Sequence, residues 1–319
     1  MPLSLLFHQT LSILASSGEL STPKLAERVL SLPAFKNVSR EDYKTLLVSM
    51  LNSDFIELTE EKTLIIGLVG EKLLSSFKFY AVFSDSEDFT VRCDSEEIGT
   101  ITTPPPVGDR FALAGRVWEV TELDTARRLV YVKGVEGKME ISWPGDYGEI
   151  HTKILERMKL VLMEDTVYAY LGDNAEKRLE IARALARNTG MLEHSFVHLG
   201  GMTWCLFPWL GTRSFRTMRK FLARHSTRFG ISGIEFEGCY YIKFRMERGS
   251  GAELSQFLAS ELSDSEIDAL SLVGSNELPT FEKYDEYVPG ELLRYAYSRD
   301  RLDPVEAKKR IFDIADEYL

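Results

Sequence analysis

The order of apolar and polar positions divides this chain into a helical start, a run of short strands, and a mixed, mostly helical remainder. Residues 5–16 place Leu5, Leu6, Leu11, Ile13 and Leu14 for a short helix that Gly18 stops. Thr22-Pro23 supplies an N-cap and a proline at the first helical position, and Leu25, Val29 and Leu30 follow at helical spacing until Pro33. Ser39 opens a third helix, with Asp42 three residues on as an imperfect capping box. Tyr43, Leu46, Leu47, Met50 and Leu51 line one face of it. Two short strands, 55–58 and 63–66, flank a charged turn, and 70–76 closes the segment with one helical turn. Three helices and a two-stranded wing are the order of a winged-helix domain, expected at 1–77.

From Phe79 the period becomes that of strands. The pattern predicts strands at 79–83, 89–93, 98–102, 110–120 and 129–135, which fit a small antiparallel β-barrel or curled sheet at 78–146. Thr103-Pro104-Pro105-Pro106 must be a loop, and Ser142 to Asp146 a turn. Within 108–124 the alternation of Phe111 and Leu113 breaks at Ala114-Gly115-Arg116 and restarts with Val117, Trp118, Val120 and Leu123. A glycine at such a break fits a bulge or a sharp bend. Val117 and Trp118 are adjacent, so a strand sends them to opposite faces. Trp118 is then either a core ring or a flat surface held outward for a nucleobase.

The remainder, 147–319, predicts amphipathic helices at 149–163 and 174–188. The first has Ile150, Ile154, Met158, Val161 and Leu162 on its stripe; the second has Leu179, Ala182, Leu185 and Ala186 inward. Two apolar strands follow within 194–210, then a helix at 211–228 and a hairpin at 234–246. Helices at 251–260, 264–272, 289–298 and 303–318 complete the chain. The expected fold class is α+β: a winged helix, a small barrel or curled sheet, and a helical α+β C-terminal part.

Charge changes the picture at one place. The chain carries a formal −11, which argues against a protein that coats nucleic acid along its whole surface. The helix at 211–228 nevertheless holds six Arg or Lys residues and no acid. At about 100° per residue, Arg213, Arg216, Lys220, Arg224 and Arg228 fall within about 120° of one another, opposite Phe215, Met218, Leu222 and Phe229. Such a row is a phosphate-binding face, a solvated face, or a partner for the acidic tail. The third N-terminal helix is poorer in base-reading residues: Arg40 and Lys44 sit beside Glu41 and Asp42, which favours packing or docking.

Catalytic patterns are missing. No Walker A loop, HExxH, GxSxG or EF-hand occurs, and Gly67 to Lys72 is too short a loop for phosphate cradling. His194 and His198 lie four apart on a strand pattern without a carboxylate or cysteine close by, a poor metal site. Cys93, Cys205 and Cys239 are far apart and odd in number, as buried thiols in a reducing compartment are. No signal peptide or membrane span is read, and a cytoplasmic protein is expected.

Several segments together carry a resemblance: PLSLLFHQTLSIL (2–14), FKNVSREDYKTLL (35–47), FKFYAVF (77–83), IGTI (98–101), PPPVGDRFALAGRVWEV (104–120), GEIH (148–151), FPWLGTRSFRTM (207–218) and YDEYVPGELLRYAYSRDRLD (284–303). From about residue 2 to about residue 311 the chain resembles the C-terminal half of the Lhr-type ATP-dependent DNA helicases of superfamily 2. In that family two RecA-like motor domains precede a winged helix and a C-terminal domain with a β-barrel module. The motor translocates 3′ to 5′ on single-stranded DNA, and the later domains close the strand channel. The resemblance implies a base-stacking role for Trp118. With it, phosphate contacts are expected from Arg116, Arg213, Arg216, Lys220 and Arg224, and single-stranded DNA and a RecA-like motor are the expected partners. The motor is missing from these residues, so ATP and Mg are expected only on motor domains in the intact protein or in a partner subunit. This chain is expected to hold no cofactor, metal or catalytic site of its own. A second reading stays open: a protein-interaction scaffold that docks a helicase or repair partner.

Overall fold

The computed structural model describes residues 1–83, 88–102, 104–105, 107–125, 127–136 and 148–318. The chain is α+β and divides into two compact units, Met1–Ser75 with Gly148–Leu319, and Ser76–Tyr147. The winged helix and the C-terminal part, expected as separate domains at 1–77 and 147–319, thus belong to one unit. The turn expected at Ser142–Asp146 lies outside the described residues, as do Thr103 and Pro106 of the proline loop.

The larger unit begins with α1 (Leu3–Ser17), β1 (Leu20–Ser21), α2 (Thr22–Leu30), α3 (Arg40–Asn52), β2 (Ile56–Leu58), β3 (Thr63–Ile66) and α4 (Leu68–Leu74). The strands form an antiparallel sheet in the order β1-β3-β2. Leu6, Phe7, Leu11 and Leu14, Leu25 and Val29, and Leu46 and Met50 are sealed from solvent. Apart from the adjacent Leu6 and Phe7, these positions are spaced by three or four residues within each helix, so each helix turns one stripe inward. Ser39 and Asp42 complete the capping box: the Ser39 hydroxyl accepts from the Asp42 amide at 3.0 Å, and the Asp42 carboxylate accepts from the Ser39 amide. Ser21, rather than Thr22, is the N-cap of α2.

The smaller unit is one five-stranded curled sheet: β4 (Phe89–Cys93), β5 (Glu96–Ile101), β6 (Arg110–Leu113), β7 (Arg116–Asp124) and β8 (Leu129–Val135), in the order β5-β4-β8-β7-β6. Against the all-antiparallel expectation, β4 and β8 run parallel; the hairpins on either side of them are antiparallel. Residues 110–120 are two strands. Ala114 (φ 50°) and Gly115 (φ 75°) are both left-handed and form the two-residue turn between them, the conformation whose twist matches a hairpin. The bulge sits further on, between Val120 and Glu122. The strand expected at 79–83 is absent. The Phe79 amide donates to the Ser76 carbonyl, and Phe77–Tyr80 form a 3-10 turn with Phe79 buried between exposed neighbours.

The remainder of the larger unit comprises α5 (Thr152–Met163), α6 (Asp173–Thr189), β9 (Phe196–Gly200), β10 (Thr203–Leu206), α7 (Thr212–Arg224), α8 (Ser226–Phe229), β11 (Ser232–Glu237), β12 (Tyr241–Arg245), α9 (Gly251–Ser260), α10 (Gly290–Asp300) and α11 (Pro304–Asp316). An antiparallel sheet in the order β11-β12-β10-β9 buries Phe196, Leu206, Ile242 and Phe244 in one core with Phe215, Met218 and Leu222 of α7, Leu254 and Leu258 of α9, and Ile311 and Ile314 of α11. The helix expected at 264–272 is a series of turns. Asp268 accepts from the amides of Leu270 and Ser271 and takes them out of a helical ladder. Leu185 of α6 and Ile154 of α5, expected inward, are exposed, and Leu155 is buried instead. Among the described residues, no helix is long and apolar enough to cross a membrane.

Candidate nucleic-acid interface

Helix α7 begins after Gly211, and its two faces have opposite chemistry. Phe215, Met218, Phe221 and Leu222 enter the core. Gly211 is needed there because a side chain would collide with backbone: an added Cβ would lie 2.5 Å from the Ile150 carbonyl oxygen and 2.6 Å from the Thr152 amide nitrogen. Through this contact the Thr212 amide donates to the Ile150 carbonyl, and the Ile150 amide donates to the Thr212 hydroxyl, each at 2.9 Å. Buried polar groups close the same corner. The Thr152 hydroxyl donates to the Glu306 carboxylate at 2.6 Å, Ser214 donates to the same carboxylate, and the Gly211 amide donates to Thr152.

The basic face is occupied by the protein itself. Arg213 donates to the carbonyls of Arg299 (2.9 Å) and Leu302 (3.2 Å). Arg216 donates to the Arg301 carbonyl at 2.7 Å and lies 3.7 Å from the Glu149 carboxylate, which Arg301 also approaches. These carbonyls are at the C-terminal end of α10, where a helix leaves acceptors unpaired and carries partial negative charge. Lys220 donates to both oxygens of Glu277 and approaches the Tyr297 ring. Arg224 donates to the Ser271 carbonyl at 2.8 Å. Burial works to raise the Glu277 carboxyl, but the bond from Lys220, the Gly274 amide and the charges of Lys220 and Arg219 together hold it below its ordinary value. The four cations expected to hold phosphates are thus a cap on α10 and on the turns at 271–277. Of the three readings a like-charge row allows, pairing with the C-terminal tail is the one realised. Arg219, which the wheel set apart from the row, is stacked over the Phe236 ring at 4.3 Å. Glu149 and Glu277 were not legible as partners of the row because they lie more than 50 residues away in sequence, and the α10 carbonyls because main-chain acceptors leave no trace in residue identity.

The second part of the expected clamp is also internal. Trp118 is 4% exposed and packs inside the curled sheet with Val91, Val120, Val130 and Val132. Its indole N–H donates to the Leu113 carbonyl at 2.9 Å. Gly134 is its cross-strand partner, and the missing side chain there leaves room for the ring. A ring closed on both faces and satisfied at its N–H presents no surface to a base, so the base-stacking assignment of Trp118 is corrected to a core role. Arg116 is exposed, directly after the Ala114-Gly115 turn, and has no ion-pair partner among the described residues. Val117, on the other face of β7, is half-buried.

On α3, the outward residues Glu41, Lys44, Thr45, Val48 and Asn52 line a groove of about 370 Å³ whose far wall is Pro289 and Glu291 at the start of α10. Carboxylates on both walls and a helix standing against α3 leave it unsuited to entering a major groove. The two histidines are apart in role: His194 stacks on Tyr318, and His198 packs at a tilt against Trp204. Among the described residues, no group of three or more metal-ligating side chains converges. No family model, curated protein or solved structure matches this chain.

Proposed function

We propose that this chain is the accessory region of an Lhr-like ATP-dependent DNA helicase, serving DNA repair or genome defence, with ATP hydrolysis and translocation supplied by RecA-like motor domains in the intact protein or in a partner subunit. The supporting observation is where the resemblance-bearing segments meet. Glu149 of GEIH reaches Arg216 of FPWLGTRSFRTM and Arg301 of YDEYVPGELLRYAYSRDRLD. Phe7 of the first segment packs on Tyr284 and Tyr287 of the last. Segments nearly 300 residues apart in sequence thus form the joints of one unit, as segments of a shared scaffold would. In this reading the scaffold engages strand phosphates at its surface rather than through Trp118 and the α7 row. The test is fluorescence anisotropy of the full chain on a labelled single-stranded oligonucleotide at 50 and 200 mM salt. Binding that weakens steeply with salt supports the reading; binding absent at both concentrations ends it.

The docking reading has its own observation. Leu160, Met163, Val167, Tyr170, Ile181 and Leu185 around the α5–α6 hairpin are each more than half exposed. Apolar side chains gathered in this way mark interaction surfaces more often than solvated ones. A chain that fails to bind DNA but co-purifies with a motor subunit, and loses it on Ile181→Asp and Leu185→Asp substitution, is a docking scaffold.

A further inference from the structure

Resting on the strand-binding reading, we infer that the cleft between Arg228 and Arg248 is a phosphodiester site, taking the backbone of a nucleic-acid strand. The cleft measures about 460 Å³ and is walled by Arg228, Phe229, Arg248, Gln256, Phe257 and Ser260. Both arginines are exposed, and neither has an ion-pair partner among the described residues. This sets Arg228 apart from Arg213, Arg216, Lys220 and Arg224, each of which donates to a carbonyl or carboxylate of the protein itself.

The two arginines are held, not loose. The Arg228 guanidinium lies 4.4 Å from the centroid of the Phe257 ring. That ring is braced by Phe229 at 5.5 Å and His225 at 5.8 Å. Stacking fixes the plane of a guanidinium while leaving its N–H edge open, the geometry for paired bonds to phosphate oxygens. Arg248 is set by its backbone: the amides of Glu247 and Arg248 both donate to the Phe229 carbonyl, at 3.1 and 3.2 Å. Phe229 directly follows Arg228, so one carbonyl ties the two main chains together. Gly249 (φ 84°) makes this possible, because a Cβ there would sit 2.9 Å from the Phe229 ring. The carboxylate in the cleft, Glu253, is already engaged by the Ser250 amide and hydroxyl in the cap of α9.

The experiment compares the full chain with Arg228→Gln/Arg248→Gln, with Arg248→Gln alone, and with Arg178→Gln on exposed α6 as a control, by anisotropy on single-stranded DNA from 50 to 200 mM salt. Loss of two contacts should flatten the log–log salt slope by about 1.4 and weaken binding about tenfold or more at the low-salt end. Arg248→Gln lies on an exposed turn and should remove about half of that slope, even where the double variant folds poorly; Arg178→Gln should match the parent. Unchanged slope and affinity in both cleft variants overturn the site while leaving the strand-binding reading intact. A parent chain that binds no DNA overturns both. A last arm replaces chloride with inorganic phosphate at equal ionic strength. Stabilisation of the parent by inorganic phosphate, with strand binding unaffected by the cleft variants, would make this a small-anion site and overturn the assignment to a strand.

Discussion

Trp118→Phe separates a core ring from a stacking ring because the two roles predict opposite patterns. In the core role, phenylalanine keeps much of the apolar area but loses the bond to the Leu113 carbonyl at 2.9 Å and leaves a gap over Gly134. An unmade hydrogen bond with its carbonyl left dry costs about 1–3 kcal/mol, and the partial cavity adds about 1 kcal/mol. The hydrophobic cluster around Trp118 is built on five buried side chains, Val91, Trp118, Val120, Val130 and Val132. A loss of about 2–4 kcal/mol is therefore large against what such a unit holds. Amide hydrogen exchange on the full chain reads this directly. Peptides covering 89–135 should exchange faster in the variant, while those covering α7 stay at parent rates. Affinity for single-stranded DNA, per folded molecule, should stay within about twofold. In the stacking role, the same variant would leave exchange untouched and lose part of a contact worth about 1–3 kcal/mol, a fall of up to about 150-fold. Parent-like exchange with a tenfold drop in affinity would refute the core assignment and restore Trp118 to a binding site.

Four further outcomes follow from the larger unit. Arg216→Ala should destabilise it by about 1.5–3 kcal/mol, since a charged donor to the Arg301 carbonyl is lost at the end of α10, and urea unfolding followed by circular dichroism measures this. Gly211→Ala should cost about 3 kcal/mol in the same assay, because backbone atoms rather than a movable side chain oppose the new Cβ. The Glu277 carboxyl is held low in the folded chain, so its contribution is present above its ordinary value of 4.5 and fades as pH falls through the folded value. The stability gap between parent and Lys220→Met should accordingly narrow in unfolding curves taken from pH 6 down to pH 3. Burial pushes the Cys205 thiol up to about 12, so native protein at pH 8 should leave Cys205 unlabelled by iodoacetamide while half-buried Cys93 reacts, as peptide mapping would show.

Most elements were legible in the sequence because their signals are local. The Ser39 cap, the glycine stop at Gly18 and the strand at 129–135 each depend on residues within one turn of the position they define. What was not legible depends on contacts from elsewhere. Phe77 and Phe79 alternate like a strand, yet exposed Phe77 and Tyr80 flank the buried ring in a 3-10 turn. The parallel pairing of β4 with β8 follows from topology, which no single segment records. Trp118 was correctly placed on a strand next to Val117, but its face was assigned through resemblance. The local pattern left the core reading open, and the partnering of Trp118 with Gly134 decides it.

The α7 row shows why a helical wheel locates charge without telling what it meets. A row of one sign is selected by any extended source of the opposite sign, and a phosphate backbone is one such source. The carbonyl ends of helices are another, and they are invisible in residue identity because the acceptor is main chain. This chain uses that second source twice. On α6, Arg183 donates to the carbonyls of Val161 and Thr166, and Arg187 to that of Met163, at the C-terminal end of α5. On α7, Arg213 and Arg216 do the same for α10. The two cases differ in outcome for a ligand only where the row outruns the helix end it caps. Past the end of α7 that happens at Arg228 in α8, beyond the last carbonyl acceptor, where the guanidinium rests on the Phe257 ring and the side chain is exposed. A basic helix of this kind is therefore best searched for a ligand at its unpaired end, and the separation is measurable. Arg213→Gln and Arg224→Gln should lower the unfolding midpoint without changing the salt slope of strand binding, whereas Arg248→Gln beside Arg228 should change the slope and leave the midpoint in place. Slopes that fall equally in both sets would mean the whole face is a strand site that opens when DNA arrives.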